Sequence, residues 1–416
     1  MLKWSPQIVE DTAEGHQTYQ SMPQKFYIET LGCQMNVLDS ELACSVLQQT
    51  GRVQTDTPAD ADVILFNTCS VRQHAEDKVY SAIGRLKGWK EEKPHGILGV
   101  LGCMAQKDQK LIFQRAPHVD FVLGPGRLNR LVETIDQLLH ESPRPAKTIC
   151  ASLHRATNSH ADVLESFRLY NPDRMIPDTQ KTDSALVRIT FGCDQFCSYC
   201  VVPFVRGPEQ SRSPKDIVNE VQHLSDQGVT RITLIGQTVN SYRYQEGEKQ
   251  VRLADLLYRI VDVDAVEQID FVTNYPLGMD EDLLQAVRDL PKVSKHLHVP
   301  AQSGSDTVLK RMNRHYTAAH YREMTDRIYG TIPGATMTSD FIVGFCGETE
   351  EDFEQTVDLV KYCRFRNSFI FKYSERAGTK AAELYADDVP EDVKKYRNNR
   401  LLEVQIEISR QQTIND

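Results

Sequence analysis

The chain predicts an α/β protein in two parts, a small doubly wound parallel α/β domain followed by a partial (β/α)6 TIM-like barrel. Three observations predict it. Apolar runs of strand length alternate with helix-compatible segments in two separate series. A proline-bearing stretch with little periodicity divides the two series. Cysteines and glycines fall repeatedly just after the apolar runs, where the carboxyl ends of parallel strands gather ligands.

Taken in order, residues 1–24 are polar and acidic, lack the apolar segment of a secretion signal, and read as a poorly ordered leader. The first domain spans 25–140. Its strands are FYIETLG, DVILFNT, GILGVLG and FVLG, starting at Phe26, Asp62, Gly96 and Phe121, with helices from near Leu38, Val71, Lys107 and Arg127. GPGRLNRL, from Gly124, has no Lys-Ser/Thr pair and reads as a strand-to-helix turn, not a phosphate loop. Residues 141–184 form a linker. The second domain, 185–416, repeats strand then helix six times, with strands at Ala185, Arg231, Ile269, His296, Thr338 and Asn367. Its last segment is one amphipathic helix whose Lys394, Lys395, Arg397 and Arg400 form either a basic face or a solvated one.

Composition is that of an ordinary soluble protein, 40% hydrophobic and 25% charged. No run approaches the roughly 18 apolar residues of a membrane span, so no membrane partner is expected. A net charge of −10 argues against a chain-wide nucleic-acid surface but leaves room for a local basic patch. Ten cysteines without a signal peptide point to a reducing, cytoplasmic setting where clustered thiols are metal ligands.

The cysteines are the strongest signal. Cys193, Cys197 and Cys200, in TFGCDQFCSYC, follow a strand at the spacing C-x3-C-x2-C. Three thiolates can hold three corners of a 4Fe–4S cube and leave one iron open for another ligand. Structural zinc prefers four ligands, commonly in paired C-x2-C units, which are absent here. Cys33, Cys69 and Cys103 each follow a strand of the first domain, so a parallel sheet would bring them to one crevice as a second three-cysteine site. Three separately buried structural cysteines are the alternative. Cys44, Cys150 and Cys363 read as core.

The run around Cys193–Cys200 resembles the radical S-adenosylmethionine (SAM) superfamily, and its extension GCDQFCSYCVVPFVRGPEQSR is similar to the methylthiotransferase branch. LGCQMNVLDSE and NTCSVRQHAEDKV narrow the resemblance to the tRNA 2-methylthio-N6-dimethylallyladenosine synthases. HVPAQSGSDTVLKRM, TSDFIVGFCGETEEDF and YSERAGT match as well, and the resemblance runs from about Phe26 to Ser409.

The resemblance implies a radical-SAM barrel, two 4Fe–4S clusters and SAM. SAM would chelate the open iron of the Cys193/Cys197/Cys200 cluster and be cleaved to a 5′-deoxyadenosyl radical. The Cys33/Cys69/Cys103 cluster would be auxiliary and carry the sulfur. Tyr199 matches the aromatic beside the SAM adenine, and Gly236, Gln237, Ser303 and Asp340 are candidate SAM or substrate contacts. Glu220 could equally be a solvated carboxylate. The implied substrate is the anticodon stem-loop of tRNA bearing N6-isopentenyladenosine at position 37, with Arg206, Arg212, Arg311 and Arg314 as candidate phosphate or base contacts. An electron donor such as flavodoxin or ferredoxin and a sulfur source are implied partners, and the chain is expected to be a monomer. Family members usually end in a β-rich RNA-binding domain, which would begin where this sequence stops; either the sequence is a shortened form or its two domains bind tRNA alone. FIVGFCGE places Cys346 where the family has proline, GQTVNSY places Thr238 where the family has asparagine, and TNYP departs from the usual SHP. Methylthiolation of threonylcarbamoyladenosine in tRNA, or of a ribosomal-protein aspartate, and a non-catalytic iron–sulfur electron carrier stay open as alternatives.

Overall fold

The computed structural model describes residues 24–70, 73–140, 147–151, 174 and 182–415. Nearly all of the expected leader, and the polar stretch around 162–169, lie outside the described residues. The first sheet comprises β1 (Lys25–Leu31), β2 (Val53–Gln54), β3 (Val63–Thr68), β4 (Ile97–Gly102), β5 (Phe121–Leu123) and β6 (Thr148–Cys150). The order is β2-β1-β3-β4-β5-β6, all parallel. That order reverses between β1 and β3, which is the switch point where a doubly wound sheet opens its ligand crevice.

Both faces of this sheet are covered, which is why VILFNT and ILGVLG read as unbroken apolar runs. Along β3, Val63 and Leu65 face α1 (Gln34–Gln49) and α6 (Leu131–His140), where Leu38, Leu42, Ile135 and Leu138 pack. Ile64 and Phe66 face α2 (Gln73–Arg85), α3 (Lys87–Glu92), α4 (Cys103–Asp108) and α5 (Lys110–Arg115) through Val79, Ile83, Trp89 and Met104. Two strands were not expected. β2 has two residues, and β6 has three and lies inside the stretch read as linker, so neither is long enough to show a period of its own. Pairing Phe121 with Thr148 carries the sheet past residue 140.

The second half forms the predicted six-strand array. β7 (Ser184–Arg188), β10 (Arg231–Ile235) and β13 (Gln268–Phe271) are parallel, as are β14 (His296–His298), β15 (Thr336–Val343) and β16 (Asn367–Lys372). A bridge from Ile269 to Val293 joins the halves. Between these strands come α8 (Pro214–Asp226), α9 (Leu253–Ile260), α10 (Glu281–Asp289), α12 (Ala318–Thr331) and α13 (Glu350–Cys363). Inserted pieces are the short pair β8 (Thr190–Phe191) with β9 (Gln210–Ser211), the hairpin β11 (Arg243–Glu246) with β12 (Lys249–Arg252), the one-turn helix α7 (Val202–Val205) and α11 (Asp306–Arg311).

After α14 (Lys380–Leu384), the chain ends in α15 (Glu391–Asn415). Its cations are neither a free basic face nor, for two of them, solvated. Lys394 and Arg397 are each 4% exposed. Lys394 pairs with Asp387, Arg397 with Glu350 at 3.1 Å, and Arg400 with Glu354. These pairs bind α15 to the loop before it and to α13, Arg397 at the acidic first turn of that helix. Among the described residues no helix is long and apolar enough to cross a membrane.

Candidate functional site

The first triad assembles at the β1/β3 switch point. Cys33 is the N-cap of α1, Cys69 follows β3, and Cys103 opens α4 directly after β4. Cys33 reaches the surface, whereas Cys69 and Cys103 are buried. A hydrogen bond with Cys69, joined by the charge of Arg206, holds the Cys33 thiol down at about 5 against the opposing effect of burial. The positive end of α1 acts in the same direction. Burial pushes Cys103 upward.

A buried polar network fixes the strand ends beneath these cysteines. Asn67 donates to the Asn36 carbonyl at 2.8 Å and to Ser40 Oγ at 2.9 Å. Asn36 donates back to Asn67 Oδ1 at 3.1 Å and to the Thr68 carbonyl at 3.2 Å. Gly102 has φ +90°, and a Cβ there would strike Asn67 and the Thr68 carbonyl, so glycine is required immediately before Cys103.

The second triad lies in the loop after β8. Gly192, at φ +76°, leaves no room for a Cβ against the Pro208 carbonyl, and Cys193 follows it. The Cys193 thiol lies 3.7 Å from Thr238 Oγ1 and is pushed up to about 11 by burial. Cys200 closes a turn on the Cys197 carbonyl at 3.0 Å, and burial raises its thiol far above the ordinary range. The segment after α11 clamps the loop from outside. Ser198 donates its N–H to the Met312 carbonyl and its hydroxyl to the Arg311 carbonyl, while Asn313 reaches the Phe196 carbonyl. Arg314 donates to Cys197 Sγ at 3.2 Å and lies 4.6 Å from the Tyr275 ring centre.

The segment that follows the second triad reaches the first. Val201 and Val205, following Cys200 and carried on or beside α7, form one apolar cluster with Cys103. Arg206 comes next, donating Nε to Cys103 Sγ at 3.3 Å and Nη2 to Asp39 Oδ2 at 2.8 Å. Asp39, on α1, also pairs with Arg188 of β7, and the two guanidiniums hold its carboxyl below the usual range despite burial. Beside them Glu41 pairs with Arg174, and Glu220 with both Arg174 and Arg212. The interface between sheet and barrel is therefore ionic at its buried centre.

This geometry redirects several residues expected from the sequence. Arg206 and Arg212 are buried, so neither presents a guanidinium to an RNA backbone. Arg212 donates to Glu220 at 2.6 Å and to the Arg188 carbonyl at 2.7 Å. Arg314 serves Cys197, and Arg311 donates to the Cys346 carbonyl at 3.2 Å. Arg206 and Arg212 are buried and Arg311 and Arg314 half-buried, and each donates to a thiol, carboxylate or carbonyl that the sequence could not place near it. Glu220 is buried and ion-paired, not solvated.

Of the other candidates, Tyr199 stands edge-on to Phe345 with ring centres 6.4 Å apart. Gly236 lets the backbone pass Thr190 without collision. Asp340 lies 3.5 Å from His298 Nε2. The Ser303 hydroxyl meets Thr356 Oγ1 at 3.2 Å, which fastens its loop to α13. Cys346 is buried among Phe345, Met312 and Tyr373.

Gln237 Oε1, Thr190 Oγ1 and Asn274 Oδ1 are buried, with no hydrogen-bond partner among the described residues. They sit at or beside the ends of β10, β8 and β13, and buried acceptors seldom go unsatisfied. A ligand rich in N–H donors would satisfy them. Thr190 was missed because nothing in a lone hydroxyl signals its orientation, and Asn274 stood out only as part of TNYP, the departure from SHP. Among the described residues no group of three His, Cys, Asp or Glu side chains is arranged to hold a single metal ion. Two open thiol triads, each with a guanidinium against one sulfur, suit a multi-iron cage with several separate corners.

Barrel, switch-point sheet and paired triads together define a radical-SAM enzyme with a second cysteine site. The radical SAM superfamily profile matches residues 187–360, and that of uncharacterized protein family UPF0004 matches 25–124. The chain belongs to the tRNA-2-methylthio-N(6)-dimethylallyladenosine synthases. It is 52% identical over 391 residues to the synthase of that name from Rhodopirellula baltica, covering 94% of this chain and 81% of that one. To the one from Syntrophotalea carbinolica it is 41% identical over 390 residues, covering 93% and 85%. Among solved structures, the radical SAM methyltransferase TsrM from Kitasatospora setae superposes with TM-score 0.58 at 12% identity, covering 87% of this chain and 77% of that one. The cobalamin-dependent radical enzyme OxsB gives TM-score 0.52 at 13% identity, covering 91% and 56%. These two likenesses concern the fold. Use of SAM and iron–sulfur chemistry follows from the family, and the electron-carrier alternative falls away.

Proposed function

We propose that the chain installs a methylthio group at C2 of N6-isopentenyladenosine at position 37 of tRNA, beside the anticodon. Family membership supports this reading, and one structural observation carries it: the segment leaving Cys200 packs on, and hydrogen-bonds to, Cys103. In this reading the loop that follows the radical-generating cysteines is anchored on a cysteine of the sulfur-bearing site.

In this reading Cys193, Cys197 and Cys200 hold the SAM-binding 4Fe–4S cluster, and Cys33, Cys69 and Cys103 hold the auxiliary one. The bound cofactors supply a 5′-deoxyadenosyl radical and a transferable sulfur. The protein's part is to bind, orient and exclude water. Gln237, Thr190 and Asn274 accept from the ammonium and amino donors of SAM. Tyr199, fixed by Phe345, flanks its adenine, and Gly236 allows close backbone approach. Asp340 is held by His298 at the same mouth, and Ser303 shapes the adjoining loop. Residues 25–140 with β6 form the auxiliary-cluster domain, and 185–416 the radical domain. All ten cysteines are free thiols, as a cytoplasmic setting would keep them. The target base lies in a single-stranded loop and can be splayed into the mouth at little cost. A flavodoxin- or ferredoxin-type reductant and a sulfur source complete the reaction.

Nucleoside mass spectrometry of tRNA from cells lacking the protein tests the reaction. The 2-methylthio nucleoside should disappear and isopentenyladenosine accumulate, with no rescue by Cys197→Ala; an unchanged profile refutes the proposal. Reconstituted protein should hold about eight iron atoms per chain. Replacing Cys33, Cys69 and Cys103 by alanine should leave about four, and retention of all eight would sink the auxiliary assignment.

A further inference from the structure

We infer that Arg206 is a positioning residue for the auxiliary cluster, setting its reduction potential through a fixed positive charge while tying it to the radical domain. The inference rests on the assignment of Cys33, Cys69 and Cys103 made above. Three observations carry it. Arg206 is 2% exposed, and its Nε hydrogen-bonds Cys103 Sγ at 3.3 Å. It belongs to the barrel, six residues beyond Cys200, yet both its hydrogen-bond partners, Cys103 and Asp39, belong to the sheet domain. Its Nη1 is buried with no hydrogen-bond partner among the described residues, so one donor of the fork is unused by the protein.

A buried guanidinium with an unused N–H is costly unless a further acceptor arrives. Sulfur atoms of a cluster held by Cys103 and Cys33 are acceptors of the right kind, and hydrogen bonds to cluster sulfurs are one of the levers that set potential. The charges facing it are the Asp39 carboxylate and, across Asp39, the like-charged Arg188. Arginine suits the place better than lysine, because a planar fork can serve sulfur and carboxylate at once.

A fixed cation favours the reduced, more negative cluster, so its removal must lower the potential. The test uses the full chain with Cys193, Cys197 and Cys200 replaced by alanine, which leaves the auxiliary cluster alone. Its midpoint potential is read by redox titration with electron paramagnetic resonance of the reduced state, alongside iron content. Arg206→Met should move the potential to more negative values and Arg206→Lys should move it less. Asp39→Asn, which removes the neighbouring anion, should move it the opposite way. Equal potentials in all four proteins at equal iron content overturn the inference and leave the cluster assignment intact. If Arg206→Met fails to load iron, the opposed shifts of the other two variants decide it, and their absence overturns it equally. No iron in the parent with Arg206 present overturns the cluster assignment itself.

Discussion

At the scale of single residues, burial has put two carboxyls close to neutrality. Desolvation raises Glu209 and Glu348 to about 7. Glu348 is held by Arg397 and by the backbone N–H groups of Gly344 and Phe345, at the turn after β15. Its folded-state pKa lies above its unfolded value, so the folded form binds more protons between about 4.5 and 7, and stability is lost as pH rises through that window. Glu348→Gln cannot ionise. Relative to the parent, it should gain up to about 1.4 kcal/mol per pH unit between pH 4.5 and 7, read from denaturant midpoints at several pH values. A difference independent of pH would show that Arg397 keeps the carboxylate charged throughout. The arginines teach the same lesson: Arg206 and Arg314 look like RNA-binding cations in sequence, and packing has turned each onto a thiol.

At the scale of elements, each triad depends on a glycine immediately before its strand-end cysteine. Gly102 and Gly192 both adopt left-handed backbone, and a Cβ at either would collide with main-chain carbonyls. The two loops lie in different sheets, so their failures should be separable. Gly102→Ala should lower auxiliary iron while leaving the SAM-binding cluster loaded, and Gly192→Ala should do the reverse. Spectroscopic resolution of the two clusters after reconstitution checks this, and equal loss of both in either variant would contradict it. The G-C dipeptides were visible in sequence. Their necessity was not, because it depends on the carbonyls of Thr68 and Pro208, which are remote in the chain.

At the scale of the whole molecule, a buried ionic network joins the two halves. Asp39 receives Arg188 and Arg206, and removing it leaves both guanidiniums buried without their shared carboxylate. Breaking a buried pair from one side typically costs about 3–5 kcal/mol. Asp39→Ala should therefore lose stability on that order, and its denaturant unfolding should resolve into two transitions as sheet and barrel part, where the parent shows one. A loss below about 1 kcal/mol with one sharp transition would mean that the other contacts, among them Ile235 on the first core and Val201 and Val205 on Cys103, suffice to hold the halves together.

The sequence by itself determined the six barrel strands, the four main strands of the first sheet, and both cysteine triads with their motifs. These are local signals: periods of 2 and 3.6 residues, strand-end placement, and short ligand spacings. Only the tertiary structure decided that β6 extends the sheet, that Arg206 and Arg212 are buried, that Asn36 and Asn67 tie the strand ends beneath the first triad, and that Thr190 and Asn274 carry buried oxygens without a partner among the described residues. It also decided that Val201, next to Cys200, packs against Cys103, 98 residues away. The reason is physical: a strand or a motif is stabilised by neighbours in sequence, whereas the direction of a polar side chain is set by partners that exist only once distant segments have packed.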